Sequence, residues 1–419
     1  MNLDWSRLRA VVFESDDWGL CAWVPDLQAR RVLEGTPAYR SPAGRRYGGS
    51  TLESAADVRH LCDTLASFQG ADGNLPVWQA NTVVAAPDYA AMRPPRFEEE
   101  PLPLVGLPDT PSRWSRPGMW EEVRRASAMG LWWAELHGLH HLPESAWLGA
   151  LRRGADDARR AFEQQSPVCA AVEAASEYDP TEPAITRDRN LTLAFERFAH
   201  LFGRPPASLC PPDYRWDDRL ETEAERLGIA ALQGKSEQHG ARLPRLRRLW
   251  HQRRWPRFGG RRLYLPPRIA FEPLAGDART GVAAAHRAAR EAWGRGQPAI
   301  VSSHRVNYAH LDADASATGR AALRDLLERL CADRAVFLTD AEVTQLVTGG
   351  WSRRDLGDRT TLLRYHGVPG EAARIPAPAG ARSGHFAATG DDGARIEVSE
   401  GRAEVRVNVG THRIEWSRM

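Results

Sequence analysis

Residues 9–19 have the sequence RAVVFESDDWG, and the predicted fold is built outward from this stretch. The apolar run Arg9–Phe13 predicts a short buried strand. Asp16 and Asp17 follow closely, so both carboxylates would lie at the carboxyl end of the strand, where barrel folds build their sites. There, one carboxylate could ligate a metal and the other could take a proton from water. A turn or a helix cap is the alternative interpretation, and this motif alone does not separate the two.

Further along the chain, apolar strands alternate with amphipathic helices. The helix predicted over Leu52–Phe68, for example, has apolar side chains at helical spacing and Ser and Thr residues ahead of it for capping. Repeated strand–helix units predict a parallel sheet with crossover helices, most simply a barrel or partial barrel. The other predicted strands are Leu75–Val84, Leu131–Leu136, Ala207–Cys210, Ile229–Leu232, Pro298–Ser303 and Ala335–Leu338. The other predicted helices are Trp120–Met129, Asn190–Phe202, Asp217–Leu227, Ala278–Trp293 and Gly319–Cys331.

Two segments depart from this alternation. The Pro-rich stretch Ala85–Pro117 has little periodicity, which predicts a lid over the strand ends that carries Trp114 toward the cleft, with a flexible insertion as the alternative. After about Gly350 the pattern changes to short alternating strands with Gly turns, which predicts an antiparallel meander. We therefore expect a barrel over residues 1–350 and a small C-terminal antiparallel β module over residues 351–419.

A pair of histidines follows one of the predicted strands. Residues 135–141 have the sequence ELHGLHH, in which His137 and His141 are spaced i, i+4. One helical turn would place both imidazoles on one face, able to bind one cation. In a chain with 13 histidines an accidental pair is as frequent as a functional one, and its position at a strand end favours function. His140 would face elsewhere, in packing or in support of the ligands.

Two more strand ends carry polar motifs. Residues 300–305, IVSSHR, end a strand close to His304, where a general acid could meet a metal site, although a lone histidine there is more often structural. Residues 210–214, CPPDY, follow another strand, and a rigid Pro-Pro turn can fix backbone N–H groups that stabilise an oxyanion. A plain turn is the alternative for this second motif.

Four strand ends thus present Asp-Asp, His-x-x-x-His, Pro-Pro-Asp-Tyr and Ser-Ser-His in that order. This ordered set resembles the NodB-type polysaccharide deacetylases, the carbohydrate esterase family 4 group. Their motifs are Thr-Phe-Asp-Asp-Gly, His-Ser/Thr-x-x-His, Arg-x-Pro-Tyr and Leu-x-His. The resemblance covers about residues 8–345 and implies an α/β fold, an irregular (β/α) barrel of NodB type, with a divalent metal, most often Zn²⁺.

The resemblance also implies a role for each matching residue. Asp16 would be the base that activates a water, and His304 the acid that protonates the leaving amine. Asp17, His137 and His141 would ligate the metal. Three ligands with open positions suit a catalytic rather than a structural metal site.

Other residues are expected to contact the substrate or the oxyanion. They are Tyr214, whose backbone would help to hold the oxyanion, its neighbour Asp213, and also Trp18 and Arg268. Arg268 is included because of Cys210, which stands where the family has an Arg that pairs with the base. Arg268 could take the place of that Arg.

Further positions depart from the family motifs. Gly138 replaces the usual Ser or Thr, and Ser302 replaces the usual Leu before the last histidine. Trp18 separates the Asp pair from Gly19, where the family has no residue between them. We therefore expect a divergent member of the group, with a substrate that can differ from that of its relatives.

Composition and charge exclude some classes of function. Of the 419 residues, 42% are hydrophobic and 26% charged, as in folded proteins, and the formal net charge of +2 excludes a generally basic nucleic-acid binder. No apolar run reaches the ~18 residues that a membrane helix needs. The first apolar run, Ala10–Phe13, is too short for the core of a signal peptide, and the 5 scattered cysteines favour a reducing compartment, so we expect a cytoplasmic protein. The Arg-rich segment Arg242–Arg262 is interpreted as a solvated surface, with an anionic ligand as the alternative.

The leading hypothesis is a metal-dependent hydrolase that removes N-acetyl groups from a sugar or polysaccharide. One alternative is a catalytically silent carbohydrate-binding protein on the same barrel, which the missing Arg favours and the intact acid, base and ligand residues oppose. The other alternative is a hydrolase of a different amide or ester on the same scaffold.

Overall fold

The predicted strands form one curled sheet at the centre of the molecule. The computed structural model describes residues 3–172, 176–239, 255–357, 359–367, 372–376, 386–390, 395–399 and 402–418. The strands before residue 350 are β1 (Ala10–Trp18), β2 (Trp78–Thr82), β3 (Ala85–Pro87), β4 (Leu104–Gly106), β5 (Trp132–Leu136), β6 (Ser208–Leu209), β7 (Ala231–Leu232), β8 (Arg257–Gly259), β9 (Arg262–Tyr264), β10 (Arg268–Ala270), β11 (Ala299–His304) and β12 (Val336–Phe337).

Helices connect these strands. The described helices are α1 (Trp5–Leu8), α2 (Leu27–Leu33), α3 (Pro37–Arg40), α4 (Pro42–Tyr47), α5 (Ala55–Ala66), α6 (Met119–Ala128), α7 (Glu144–Arg152), α8 (Asp156–Glu163), α9 (Ala184–Phe202), α10 (Asp218–Arg226), α11 (Ala278–Gly294), α12 (Ala313–Ala332) and α13 (Asp340–Gly349). Helix α5 begins three residues later than predicted, because its cap is Ser54, which forms a reciprocal capping box with Asp57, and not the Ser and Thr ahead of Leu52. None of the described helices is both long and apolar enough to cross a membrane.

The sheet has the topology of a partial barrel. Its strands are hydrogen-bonded in the order β10-β11-β1-β2-β5-β6-β7-β9-β8, with β12 paired to β1, while β3 and β4 form a separate antiparallel hairpin. Every pair in the large sheet is parallel except β8 with β9. This topology confirms the predicted irregular (β/α) barrel. Because the strands are parallel, their carboxyl ends meet at one edge of the sheet, where the motifs lie.

Strand β1 explains how the barrel is packed. Val11 and Phe13 belong to the large core that α5, α6, α11 and α12 cover, whereas Val12 lies in a second cluster with Ile300. This alternation continues the period of two of a strand. A fully buried side chain of this size stabilises the fold by about 1.5–3 kcal/mol. The strand extends beyond the predicted apolar run and includes polar residues as far as Asp17. The first of them, Glu14, is completely buried within the barrel.

The Pro-rich stretch Ala85–Pro117 differs from its prediction. It starts with the β3–β4 hairpin, and Trp114 is completely buried beside Cys21 and Leu52 instead of facing the cleft. Its indole Nε1 donates a hydrogen bond of 2.7 Å to the carbonyl of Gln165. Burial of a large apolar ring stabilises the fold, whereas exposure of the same ring in a lid would not. Trp114 therefore anchors the segment in the core.

After α13 the chain becomes antiparallel, as the sequence predicts. The strands β13 (Trp351–Leu356), β14 (Thr360–Tyr365), β15 (Ala372–Pro376), β16 (Phe386–Gly390), β17 (Arg395–Ser399), β18 (Arg402–Arg406) and β19 (Gly410–Arg418) form a sheet of order β13-β14-β19-β16 and another of order β15-β18-β17. Arg364 of β14 is completely buried and pairs with Glu342 of α13 and, at 2.8 Å, with Asp72. This guanidinium links the C-terminal strands to the barrel.

Of the Arg-rich segment Arg242–Arg262, residues 242–254 lie outside the described part of the chain. The final residue, Arg262, departs from the expected solvated surface. It is 5% exposed and lies 3.6 Å from a carboxylate oxygen of Glu221. Its side chain therefore belongs to a buried ion pair and not to a ligand-binding surface.

Candidate active site

A cleft lies at the carboxyl edge of the sheet, and it contains most of the predicted site residues. The cavity has a volume of about 580 Å³. The predicted residues that line it are Asp16, Asp17, His137, His141, Asp213, Tyr214 and His304. The register of the parallel strands brings two of these residues together, because Asp16 of β1 is paired with His304 of β11.

Three of these residues, Asp17, His137 and His141, form a cluster that we call the metal triad. Asp17 Oδ1 lies 3.5 Å from His137 Nε2 and 3.7 Å from His141 Nε2. Tetrahedral ligands at about 2.0–2.1 Å from one ion stand ~3.4 Å apart, so these separations fit one cation. One carboxylate oxygen and two imidazole nitrogens are also the donor types that Zn²⁺ prefers.

The backbone brings the triad together in a way that the sequence did not predict. His137 and His141 lie in an irregular loop and not on a helical turn. Three residues adopt the left-handed region: Asp17 at φ 75°, Gly138 at φ 106° and His141 at φ 57°. Such conformations are unfavourable for Asp and His and persist where the surrounding structure holds them, often at functional sites.

Glu177 supports the loop of the two histidines. Its carboxylate accepts hydrogen bonds from the backbone N–H groups of Leu139, at 2.5 Å, and Leu142, at 3.2 Å. A Cβ on Gly138 would lie 2.2 Å from a Glu177 oxygen. This close approach, together with the positive φ, explains why glycine stands where the similar family has Ser or Thr. His140 is buried, as its predicted packing role requires, and lies 3.6 Å from Glu177.

A backbone contact orients the first histidine of the triad. The Nδ1–H of His137 donates a hydrogen bond of 2.8 Å to the carbonyl of Cys210. The other ring nitrogen, Nε2, lies 3.5 Å from Asp17 Oδ1 and is the atom left to ligate a cation. Metal-binding histidines are commonly oriented by such a bond from the second nitrogen.

Asp16 is held by a bidentate ion pair with Arg268. Two guanidinium nitrogens donate to its two oxygens at 2.8 and 2.9 Å. Burial alone would raise the pKa of this carboxyl, but the Arg268 charge outweighs that effect and holds the pKa below its usual range. Cys210 Sγ lies 3.5 Å from the same guanidinium, so Arg268 occupies the space beside Cys210 from which the family Arg would act. Asp16 is therefore ionised at neutral pH.

Below Asp16 the interior of the barrel is unusually polar. Asn81 donates a hydrogen bond of 2.6 Å to Asp16 Oδ1, and the Nε of Arg268 lies 2.7 Å from a Glu14 oxygen. Burial and the nearby charge of Asp340 raise the pKa of Glu14 well above its usual value. Asp16 therefore rests on a buried layer of polar side chains that limits its movement.

His304 is paired with Glu272, a residue that the sequence did not single out. His304 Nδ1 lies 2.5 Å from a Glu272 oxygen, and its Nε2 lies 3.9 Å from Asp16 Oδ2. Burial lowers the pKa of His304, but the Glu272 charge and hydrogen bond outweigh it and raise the pKa to about 9. Glu272 was missed because β10, the strand just before it, is only three residues long and has no clear periodicity.

Comparisons with known proteins find matches among solved structures alone. No family model and no curated protein matches the sequence. Among solved structures, the chain is similar to a Mycobacterium smegmatis protein assigned to the polysaccharide deacetylases, with 14% identity, 81% of this chain and 89% of that chain covered and a TM-score of 0.43. It is also similar to a family 4 carbohydrate esterase from Streptomyces lividans (10%, 78% and 91%, 0.32) and to Puue allantoinase (10%, 82% and 92%, 0.45).

The group that the four motifs resemble is thus represented among the structural neighbours. Identities and scores this low carry no argument about activity, and the neighbours differ in the activities that their names state. Function therefore has to be argued from the residues of the cleft.

Tyr214, near which the backbone is expected to help to hold the oxyanion, uses its own N–H and hydroxyl in hydrogen bonds within the protein. Its backbone N–H donates to the carbonyl of Pro211 at 3.1 Å, so the turn itself uses this group. Its hydroxyl instead accepts a hydrogen bond of 2.6 Å from Arg268. The side chain therefore helps to hold Arg268 against Asp16, while the neighbouring Asp213 faces the cleft and pairs with Arg215 at 2.9 Å.

Trp18, a predicted site residue, does not line the cleft. It is 1% exposed, lies edge-on to Trp132 at 4.7 Å and donates from Nε1 to Ser15 Oγ at 2.9 Å. The pairing of β1 with β2 shifts register between Ser15 and Trp18, and Asp17 has a positive φ. This irregularity turns Trp18 toward the helix-covered core, where its large apolar ring packs.

Other aromatic residues line the cleft in its place. Trp23 and Tyr47, from the segment between β1 and α5, are stacked with ring centroids 6.0 Å apart. Tyr47 also lies 5.7 Å from the ring of His304. The sequence contains many tryptophans, and only the fold distinguishes Trp23 from those in the core.

Proposed function

We propose that this protein is a metal-dependent hydrolase that removes N-acetyl groups from a sugar or polysaccharide. The observation that supports it best is the convergence of the metal triad on one point, directly beside the acid–base pair of Asp16 and His304. A binding protein without turnover has no need for an ionised base and a protonated acid 3.9 Å apart. Zn²⁺ is the proposed metal because the triad offers one oxygen and two nitrogens.

The chain's own groups can carry out the proton transfers. Asp16, held ionised by Arg268, can accept a proton from water. His304, whose pKa of about 9 keeps it protonated at neutral pH, can donate a proton to the leaving nitrogen. That donation matters because an amide anion is a poor leaving group. A divalent ion in the triad would polarise the substrate carbonyl and lower the pKa of a water.

Substrate contacts are proposed from the residues that face the cavity. Asp213 presents its carboxylate to the cleft and could accept hydrogen bonds from sugar hydroxyls. The Trp23 and Tyr47 rings offer flat apolar surfaces of the kind on which the face of a sugar ring packs. Tyr214 and Arg268 position Asp16 and are not proposed as the main substrate contacts.

The test is to load the purified protein with Zn²⁺ and measure metal content and acetate release from a panel of N-acetylated sugars. We expect about one Zn²⁺ per chain and acetate from at least one sugar. His141→Ala should lose both, and His286→Ala, which makes the same change on helix α11 outside the cleft, should keep both. Bound metal without acetate from any sugar would favour the silent protein or, if another amide or ester is cleaved, the third hypothesis.

A further inference from the structure

Two segments form walls above the candidate site, and they meet on one side of it. The first wall is residues 20–47, between β1 and α5, and the second wall is residues 142–172, between β5 and α9. Trp23 of the first wall and Val168 of the second both line the cavity and pack in one apolar cluster. The cavity is therefore bounded on this side by the same side chains that join its walls.

Further apolar contacts continue this junction outward. Ala38 and Tyr39 of the first wall lie in one cluster with Ala161 and Val168 of the second. The Tyr39 hydroxyl donates a hydrogen bond of 2.8 Å to the carbonyl of Trp23. This bond holds the Tyr39 ring at the junction of the two walls. The junction is thus several side chains thick and not a single contact.

Arg113 ties the two walls together from behind. Its guanidinium donates at 2.8 Å to Asp26 in the first wall and at 2.8 Å to Gln164 in the second. The next residue, Trp114, is the buried anchor that bonds to the carbonyl of Gln165. The Pro-rich segment predicted to be a lid therefore acts as a strap that holds the walls closed.

We propose that the site accepts one N-acetylated unit that is free or at the end of a chain, and excludes internal units of a polymer. The inference rests on the proposed function and names its substrate class. An internal unit has a neighbouring sugar on both sides, so its chain must leave the site in two directions. The joined walls block one of them, and a cavity of about 580 Å³ is of the size that encloses one small molecule.

The chemistry of the closed side agrees with this reading. Leu20, Ala38 and Val168 face the cavity there, together with the Trp23 ring. The three aliphatic side chains offer no hydrogen-bond partners and the Trp23 ring offers only its Nε1–H, so most hydroxyl groups of a second sugar would be buried unpaired. A single ring can instead place its apolar face against Trp23 and direct its acetamido group to the metal triad.

The experiment compares substrates of different length with the Zn²⁺-loaded wild-type protein. N-acetylglucosamine, its pentasaccharide and a long soluble chitin derivative serve as probes, and tandem mass spectrometry locates each free amine. We expect acetate from the monosaccharide or from one terminal unit per chain, and a rate per chain that does not increase with length. Free amines at internal positions would overturn the inference and leave the proposed function standing. No acetate from any probe or other N-acetylated sugar would overturn the proposed function and the inference with it.

A variant tests whether the walls are the cause. Trp23→Ala removes the largest side chain at the junction of the two walls and should allow internal units to be deacetylated. Trp120→Ala makes the same truncation on α6, outside the cleft, and should keep the terminal-only product pattern. If Trp23→Ala remains folded and active but still yields only terminal products, closure by these walls is not what selects the substrate.

Discussion

The two halves of the candidate site differ in how their charges are balanced. In the acid–base half, Asp16 is paired with Arg268 and His304 with Glu272, so each titratable group already has a protein partner. In the metal half, the ion pairs that Asp17 makes among the described residues are with the other two triad members. Its backbone is also held at positive φ. In the proposed acid–base half each charge already has a protein partner, whereas in the proposed metal half the carboxylate of Asp17 has only the two histidines that would share a cation with it among the described residues.

The largest effect should follow from removing the carboxylate of the metal half. Asp17→Ala takes away the only charged ligand of the triad, so we expect loss of bound Zn²⁺ and of all measurable turnover. Metal analysis and acetate release on the same preparation check this. A variant that retains stoichiometric metal would show that the triad is not the site.

Changing the base should separate the two halves. Asp16→Asn is isosteric and leaves the triad untouched, so Zn²⁺ should stay bound while turnover falls by about 10²–10⁴-fold. The measurement is again metal content beside acetate release. Near-normal acetate release from this variant would mean that another group is the base.

Glu272, the partner of His304, should set the pH above which activity is lost. His304 must be protonated to donate, and its pKa of about 9 means that activity is lost as the pH rises through that value. Glu272→Gln removes the charge that raises the pKa, so the loss should move to lower pH, toward the ordinary range of His near 6.5. Asp16 and Asp17, whose charges also raise the pKa of His304, remain in place. An unchanged alkaline limb in the pH profile of kcat would contradict this role for Glu272.

A smaller effect is expected from the loop that carries the histidines. Gly138→Ser introduces the residue type of the similar family at φ 106°, with a Cβ 2.2 Å from Glu177. We expect a loss of about 1–3 kcal/mol in the free energy of unfolding and weaker Zn²⁺ binding, because the loop must shift. Urea unfolding and a metal titration measure the two effects. Gly118→Ser provides the comparison, because Gly118 also has a positive φ, 78°, but its Cβ would meet only Ala55 at an ordinary contact distance of 3.7 Å.

The smallest effect should come from the residue that the structure moved out of the cleft. Trp18→Phe keeps an apolar ring and loses the hydrogen bond to Ser15, which costs about 1–2 kcal/mol of stability. The KM for the substrate should not change, since Trp18 has no access to the cleft. A higher KM with unchanged stability would return Trp18 to the substrate-binding residues.

The sequence predicted one half of the site better than the other. All three triad residues are in the cluster where the motifs predicted it, because each motif follows a strand and the carboxyl ends of parallel strands meet. In the acid–base half it named Asp16, His304 and the possible partner Arg268, but it missed Glu272. The oxyanion contact expected of the backbone near Tyr214 stays a prediction. The sequence could not show that the N–H of Tyr214 itself donates to Pro211, because the hydrogen bonds of a turn depend on its folded conformation.

By itself the sequence determined the alternation of strands and helices, the side on which the motifs lie and the change to antiparallel strands near residue 350. These features follow from local periodicity, which each segment carries independently of the rest. The tertiary structure alone decided which charges pair and which way the cleft is closed. Asp16 and Arg268 are 252 positions apart, and the wall junction joins Trp23 to Val168. Such contacts depend on the positions of whole elements and on irregular backbone at Asp17, which no local pattern specifies.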